Sequence, residues 1–229
     1  MKAYQMRIEF KGSKPCIWRR ILISADASFR ELHEVIQTIF NFQDSHLYIF
    51  HLLDHKLKVT NDEEAHQVYE EYLENQGAIE KTLLALDTPF AKRQLENLRT
   101  VVGEPDAFKI EPYLQESVVI DYLYDFGDNW EISLTVERIV EDYTLDYPTL
   151  LAGEQGAPLE NMGGLAGFEE FLEAYNDPQH LDHAAAQAWG HQQGFTEYDG
   201  ESIEGRLKSL GKGFKDQPTR YRVEGMEKC

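Results

Sequence analysis

Residues 3–10, Ala3-Tyr4-Gln5-Met6-Arg7-Ile8-Glu9-Phe10, put Tyr4, Met6, Ile8 and Phe10 on one side of an extended chain and Gln5, Arg7 and Glu9 on the other. Successive side chains of a strand point to opposite faces, so this period of two predicts a half-buried strand. Lys11-Gly12-Ser13-Lys14-Pro15 then supplies turn residues, and Ile17 to Ile23 reads as a second strand, antiparallel to the first. A hairpin therefore opens the chain and sets the sheet on which the rest must pack.

Working outward, Ser28 stands where a helix N-cap belongs, with Glu31 three residues on to complete a capping box. The stripe Phe29, Leu32, Ile36, Ile39 and Phe40 gives that helix one apolar face, suited to cover the hairpin. His46 to Leu53 reads as a third strand, with Leu57-Lys58-Val59 as a short continuation. From Asn61 to about Gly103 the chain is Glu-rich and helical in period, broken at Gly77, and predicts two or three amphipathic helices. Val118 to Phe126 and Trp130 to Val140 return to alternation around Gly127-Asp128-Asn129, a second hairpin. Pro148 to Gly167 carries five glycines and two prolines and reads as loop; helices are expected from Phe168 to just before Asp177-Pro178 and over Leu181–Trp189. The expected class is α+β: a mainly antiparallel sheet from two hairpins, helices packed on one face, and a helical insertion. One domain is expected over residues 1–210, with the acidic insertion at about 61–115. Residues 211–229 read as a basic, mobile tail.

Hydrophobic residues make up 42% of the 229, enough for a sizeable core, and no eighteen apolar residues run together as a membrane span requires. Two cysteines, Cys16 and Cys229, and no signal-like segment at Met1-Lys2-Ala3-Tyr4 lead to the expectation of a soluble cytoplasmic protein. The net charge of −19 argues against nucleic-acid binding, which needs Lys and Arg to displace counterions from phosphates. Its distribution is uneven. Residues 1–24 hold six Lys and Arg against one Glu, and residues 205–229 hold seven against three acids, so the acidic excess lies in the middle. Basic ends that pair with this middle or stay solvated are the simpler reading; a phosphate-facing strip is the other.

Four motifs recur in order: Lys14-Pro15-Cys16-Ile17-Trp18-Arg19-Arg20, Leu32-His33-Glu34-Val35-Ile36-Gln37, His46-Leu47-Tyr48-Ile49-Phe50, and Tyr122-Leu123-Tyr124-Asp125-Phe126-Gly127-Asp128-Asn129-Trp130. Together with Pro158-Leu159-Glu160-Asn161-Met162-Gly163-Gly164 and Gly167-Phe168, they resemble the plasmid pRiA4b ORF-3-like family over roughly residues 4–60 and 117–190. The resemblance implies an association with plasmids and mobile elements and assigns no activity. It also marks two departures: Ile132 where the family commonly has His, and Asn161 where it has Asp.

The chemistry-bearing residues divide between structural and functional readings. Asp125 and Asp128, on either side of Gly127, could be paired carboxylates for a divalent metal or acid–base work. Turn chemistry, with carboxylates accepting backbone N–H bonds, is the stronger reading. Metal ligation would draw on His33, His46, Asp125 and Asp128; His51 and His55 are further candidates, and His180 and His183 form a separate pair. In a regular strand His46 and His51 would face opposite ways, and His33 beside an apolar stripe suits a core histidine. Arg19 and Arg20 must also diverge. The inward one could grip a phosphate or carboxylate ligand, or pair with Asp125 or Asp128 to lock the hairpins. Tyr48, Tyr122, Tyr124 and Trp130 suit core better than base stacking, and neither a nucleotide loop nor a nucleophile elbow is present.

The leading expectation is a cytoplasmic binding or interaction module with a cleft near Arg19 or Arg20, His33, Asp125 and Glu160, taking a protein partner or small ligand in preference to nucleic acid and with no membrane. One alternative is a hydrolase acting on phosphodiesters with a divalent metal as cofactor. The other is an acidic mimic of nucleic acid that occupies a basic protein.

Overall fold

A computed structural model describes residues 1–214, with side chains to Gly211. Strand β1 (Ala3–Phe10) pairs antiparallel with β2 (Trp18–Ser24), Met6 opposite Ile21 and Ile8 opposite Arg19. Helix α1 (Phe29–Phe40) begins in the expected capping box: the Glu31 N–H donates to Ser28 Oγ at 3.1 Å, and the Ser28 N–H donates to the Glu31 carboxylate at 2.6 Å. It stops at Asn41, whose left-handed backbone an Asn tolerates better than most residues. Strands β3 (Tyr48–Leu52) and β4 (Leu57–Thr60) follow, then α2 (Glu63–Leu86), α3 (Pro89–Leu98) and the short β5 (Val101–Gly103). Strands β6 (Val119–Tyr124), β7 (Trp130–Val140) and β8 (Thr149–Glu154) precede α4 (Gly164–Asn176), α5 (His183–Gln193) and α6 (Gly200–Phe214).

One eight-stranded sheet results, in the order β5-β4-β3-β6-β7-β1-β2-β8. Every pairing is antiparallel except β4 with β5. The α+β class and the two hairpins stand. Several details differ from the sequence reading. Leu57–Thr60 turns back on β3 as a strand of its own rather than continuing it. The helical stretch carries β5, and its interruption falls at Asn75 instead of Gly77. Within the glycine-rich segment read as loop, Thr149–Glu154 forms the β8 edge against β2. Residues 200–214 form α6, so the stretch read as tail begins inside a helix, and 215–229 lie outside the described residues.

The period of two places the core. Tyr4, Met6, Ile8 and Phe10 of β1 are buried, as are Ile132, Leu134 and Val136 of β7, and α1 closes over them with Leu32, Ile36, Ile39 and Phe40. Each such side chain, fully withdrawn from water, contributes about 1.5–3 kcal/mol before the entropy of ordering is subtracted. Helix α6 adds Ile203 and Leu207, and α4 adds Phe168, to the same side. The opposite face carries polar residues, among them a two-pronged ion pair from Arg20 to Glu137 at 2.6 and 2.7 Å, with Gln5 donating to the same carboxylate. Helices α2 and α3 stand beyond the β5 edge and contribute few buried side chains, Tyr72, Ala91 and Leu95.

Candidate functional site

The connector between α1 and β3 is where separated segments meet. It runs from Asn41, where α1 ends, to Leu47, and its polar residues Gln43 to His46 reach α1, the β6–β7 hairpin and Glu160. His33, on α1, has no exposed surface and stacks on Tyr48 with ring centroids 3.6 Å apart. Its Nε2 lies 2.8 Å from Asp44 Oδ1 and its Nδ1 lies 2.8 Å from the Tyr122 hydroxyl. A carboxylate only accepts, so the ring proton sits on Nε2 and Tyr122 donates to Nδ1. Gln37 completes the ring of bonds: its amide donates to Tyr122 at 3.2 Å and its oxygen accepts the Asp44 N–H at 2.9 Å. Burial pushes the His33 pKa down, opposed in part by Asp44, and the bond to His33 holds the Asp44 carboxyl below its usual range. The pair is therefore neutral imidazole with carboxylate, and neither ring nitrogen faces an open space from which it could serve a substrate as base.

Beside it, Glu160 gathers three donors: the Gln43 N–H at 2.8 Å, the Ser45 hydroxyl at 2.8 Å and the Tyr124 hydroxyl at 2.6 Å. The Tyr124 oxygen in turn accepts the Ser45 N–H at 3.0 Å. Burial, reinforced by the bond to Glu160, pushes the Tyr124 pKa up, so it stays a donor. His46 Nε2 stands 3.5 Å from Asp125 Oδ2, longer than a good hydrogen bond. Asp125 itself has left-handed backbone and accepts the N–H groups of Gly127 and Asp128 at 2.9 and 3.3 Å, the expected turn chemistry. Asp128 reaches the other way and accepts the Met162 and Gly163 N–H groups at 3.0 and 3.3 Å, which fastens the β6–β7 turn to the start of α4.

Of the expected site residues, His33, His46, Asp125 and Glu160 are thus brought around one connector, and Asp128 lies at its far edge. The metal set does not converge: His33 is spent on Asp44, His46 faces Asp125, and Asp128 is turned to backbone. Among the described residues no three of His, Cys, Asp and Glu are disposed to hold one ion. His51 lies on the polar face of β3 and His55 edges against Tyr113. His180 and His183 bond to nearby backbone.

Arg19 and Arg20 diverge as expected, yet neither reaches this cluster. Arg20 is on the polar face. Arg19, 1% exposed, donates to the backbone oxygens of Ile39, Trp18, Glu154 and Gln155 at 2.7–3.3 Å and pairs with no carboxylate among the described residues. The expected ion pair to Asp125 or Asp128 is replaced by carbonyls, among them one at the negative end of α1. Burial lowers the guanidinium pKa to about 10, which leaves it charged at neutral pH. Its upper face is covered by Tyr198, 4.7 Å from the ring centroid. Gly153 makes this approach possible, because a Cβ there would stand 2.7 Å from Arg19 Cδ and 2.8 Å from Tyr198.

Tyr198 is also a wall of a groove of about 710 Å³ between the β1–β2 turn and α4. Leu172, Phe195 and Tyr198 give it apolar surface, and Glu169, Glu173 and Glu197 line it against one cation, Lys14. None of the three glutamates is in an ion pair among the described residues. The sequence reading missed this site and the role of Asp44. Polar Gln43-Asp44-Ser45 between two apolar runs looked like a connector, and the groove joins residues about 150 positions apart. The signal that was present is Glu169 and Glu173, four apart on one helix face.

Fold and site together define an α+β protein with one mainly antiparallel sheet, a hydrogen-bonded polar cluster behind α1, and a separate acidic groove. The chain belongs to the plasmid pRiA4b ORF-3-like family, whose family model matches residues 2–205, including the 61–115 stretch that the motif resemblance left outside. It is similar to the uncharacterized protein y4hQ of Sinorhizobium fredii (strain NBRC 101917 / NGR234), 27% identical over 217 residues that cover 95% of this chain and 93% of that one. It is also similar to a protein of unknown function, MM3350 from Methanosarcina mazei Go1, whose crystal structure matches at TM-score 0.65 and 26% identity, covering 87% of this chain and 96% of that one. At the two departures, Ile132 is wholly buried in the core and Asn161 takes left-handed backbone. No described helix is long and apolar enough to cross a membrane.

Proposed function

We propose that this protein is a binding module of the cytoplasm, one domain over residues 1–210 with its helical insertion, that receives a protein partner or ligand in the groove beside α4. One observation carries the reading. In the cluster behind α1, His33, Asp44, Tyr122, Tyr124 and Glu160 are engaged with one another or with the connector and His46 Nε2 lacks a hydrogen-bond partner, whereas the groove unites space, apolar surface and carboxylates with no ion-pair partner among the described residues. A volume of about 710 Å³ is within the range of ligand sites. The exposed free thiol of Cys16 suits a reducing compartment.

The competing reading is the phosphodiesterase with a divalent metal, which needs Asp125 and His46 to give up their present contacts. Incubation with bis(4-nitrophenyl) phosphate and Mg²⁺ or Mn²⁺ separates the two. The module reading expects release of nitrophenol at the buffer rate for the native chain and for Asp125→Asn alike. Turnover that the native chain shows and Asp125→Asn loses would overturn it in favour of the hydrolase.

A further inference from the structure

We infer that the occupant of the groove is a basic peptide segment of a partner protein, with Lys or Arg side chains held by Glu169, Glu173 and Glu197. The inference rests on the binding-module reading and adds the chemistry of the ligand. Charge complementarity is the first argument: three carboxylates with no ion-pair partner among the described residues line, with one lysine, a partly apolar groove. Glu169 and Glu173 lie four apart on α4, and like charges at that spacing destabilise a helix that carries them unneutralised. A bound cation removes that repulsion.

The aromatic lining points the same way. Tyr175, Phe195 and Tyr198 line the groove, and a guanidinium or ammonium is attracted to an aromatic ring in addition to a carboxylate. The groove also opens to solvent, where a small molecule would leave much of its surface wet. A segment of a longer chain suits such a trough, its aliphatic stems lying on Pro15 and Leu172 while its charged heads reach the rim.

The test uses short fluorescent peptides matched in apolar content, one set rich in Lys and Arg, one in Asp and Glu and one uncharged. The full chain is compared with two variants. E169Q/E173Q/E197Q removes the charges and keeps the shape, while Asn176→Trp, at an exposed position lining the groove, fills it and leaves the carboxylates alone. The expected result is that the basic set binds and Asn176→Trp blocks it. Each Glu→Gln change weakens binding by roughly two- to five-fold, less so at high salt. The triple variant should also unfold at a temperature no lower than the native chain, since its charges oppose the helix. Binding of uncharged peptides equal to the basic ones, blocked by Asn176→Trp and indifferent to the Gln changes, would overturn the inference and leave the groove reading standing. No binding by any set, or binding that Asn176→Trp does not touch, would overturn both.

Discussion

His33 and Arg19 are both buried, polar and attached to the hairpin core, but they titrate and fail differently. Burial holds the His33 pKa below its ordinary 6.5. As pH falls through that value the unfolded chain takes up a proton that the folded chain refuses, so stability is full above about pH 7 and declines toward pH 5. The slope contributed by one group is at most about 1.4 kcal/mol per pH unit. Urea midpoints at pH 7 and pH 5 should therefore differ more in the native chain than in His33→Asn; an equal difference would show that His33 is charged in the fold. His33→Leu leaves the Asp44 carboxylate and the Tyr122 hydroxyl each short of a partner and should cost roughly 2–4 kcal/mol. The two arginines give the sharper contrast. Arg19→Met strands four backbone oxygens and should cost about 3 kcal/mol or more, while Arg20→Met breaks a solvent-screened pair with Glu137 and should cost about 1 kcal/mol or less. Denaturant unfolding measures both. The sequence made them candidates of equal weight, because alternation says that they diverge and says nothing about which side is covered.

At the level of elements, the β6–β7 turn and the start of α4 behave as one piece. Asp128 bonds the backbone of Met162 and Gly163, and a Cβ on Gly167 would stand 1.8 Å from the Met162 oxygen. Gly167→Ala must therefore part the first turn of α4 from the Met162 carbonyl that precedes it and disturb the segment Asp128 holds, at a cost of about 3 kcal/mol or more by thermal or urea unfolding. The insertion is the opposite case. Tyr72, Ala91 and Leu95 are its buried residues in α2 and α3, and the helices are pinned by Arg99 on Glu80 at 2.8–2.9 Å. Replacing 63–98 by a short flexible linker should preserve a cooperative unfolding transition, with β5 still joined to β4. Loss of cooperativity would place the insertion inside the core unit. Hairpins, α1 and its cap were legible because alternation, stripe and capping box each act within ten residues. Strand β8 was not. Its Gly153 reads as a loop residue, yet it is there because Arg19 and Tyr198 close on that backbone from distant segments.

Across the whole molecule, the uneven charge acquires a location. The acidic middle includes Glu169, Glu173 and Glu197, and the groove concentrates three of its carboxylates at one place beside Lys14. The residues that carry the family motifs lie mostly behind α1, where they bond to one another and set the shape of the sheet. The proposed binding surface is built by α4 and the 195–198 segment beside the β1–β2 turn. Motif residues could be recognised in order along the chain, but the groove exists only once α4 has been fastened to the turn by Asp128 and Tyr198 has closed over Arg19. That division sets His33, Asp125 and Glu160 of the expected cleft apart from Arg19 and Arg20, and apart from the groove proposed as the binding surface.

The most direct test of this division is an amide chemical-shift map of the full-length protein titrated with a Lys- and Arg-rich peptide. The account predicts shifts concentrated at 14–17, 169–176 and 195–198, with 43–46 and 125–128 unmoved. Shifts centred on 43–46, 125–128 and Glu160 instead would place the site in the polar cluster and contradict the account.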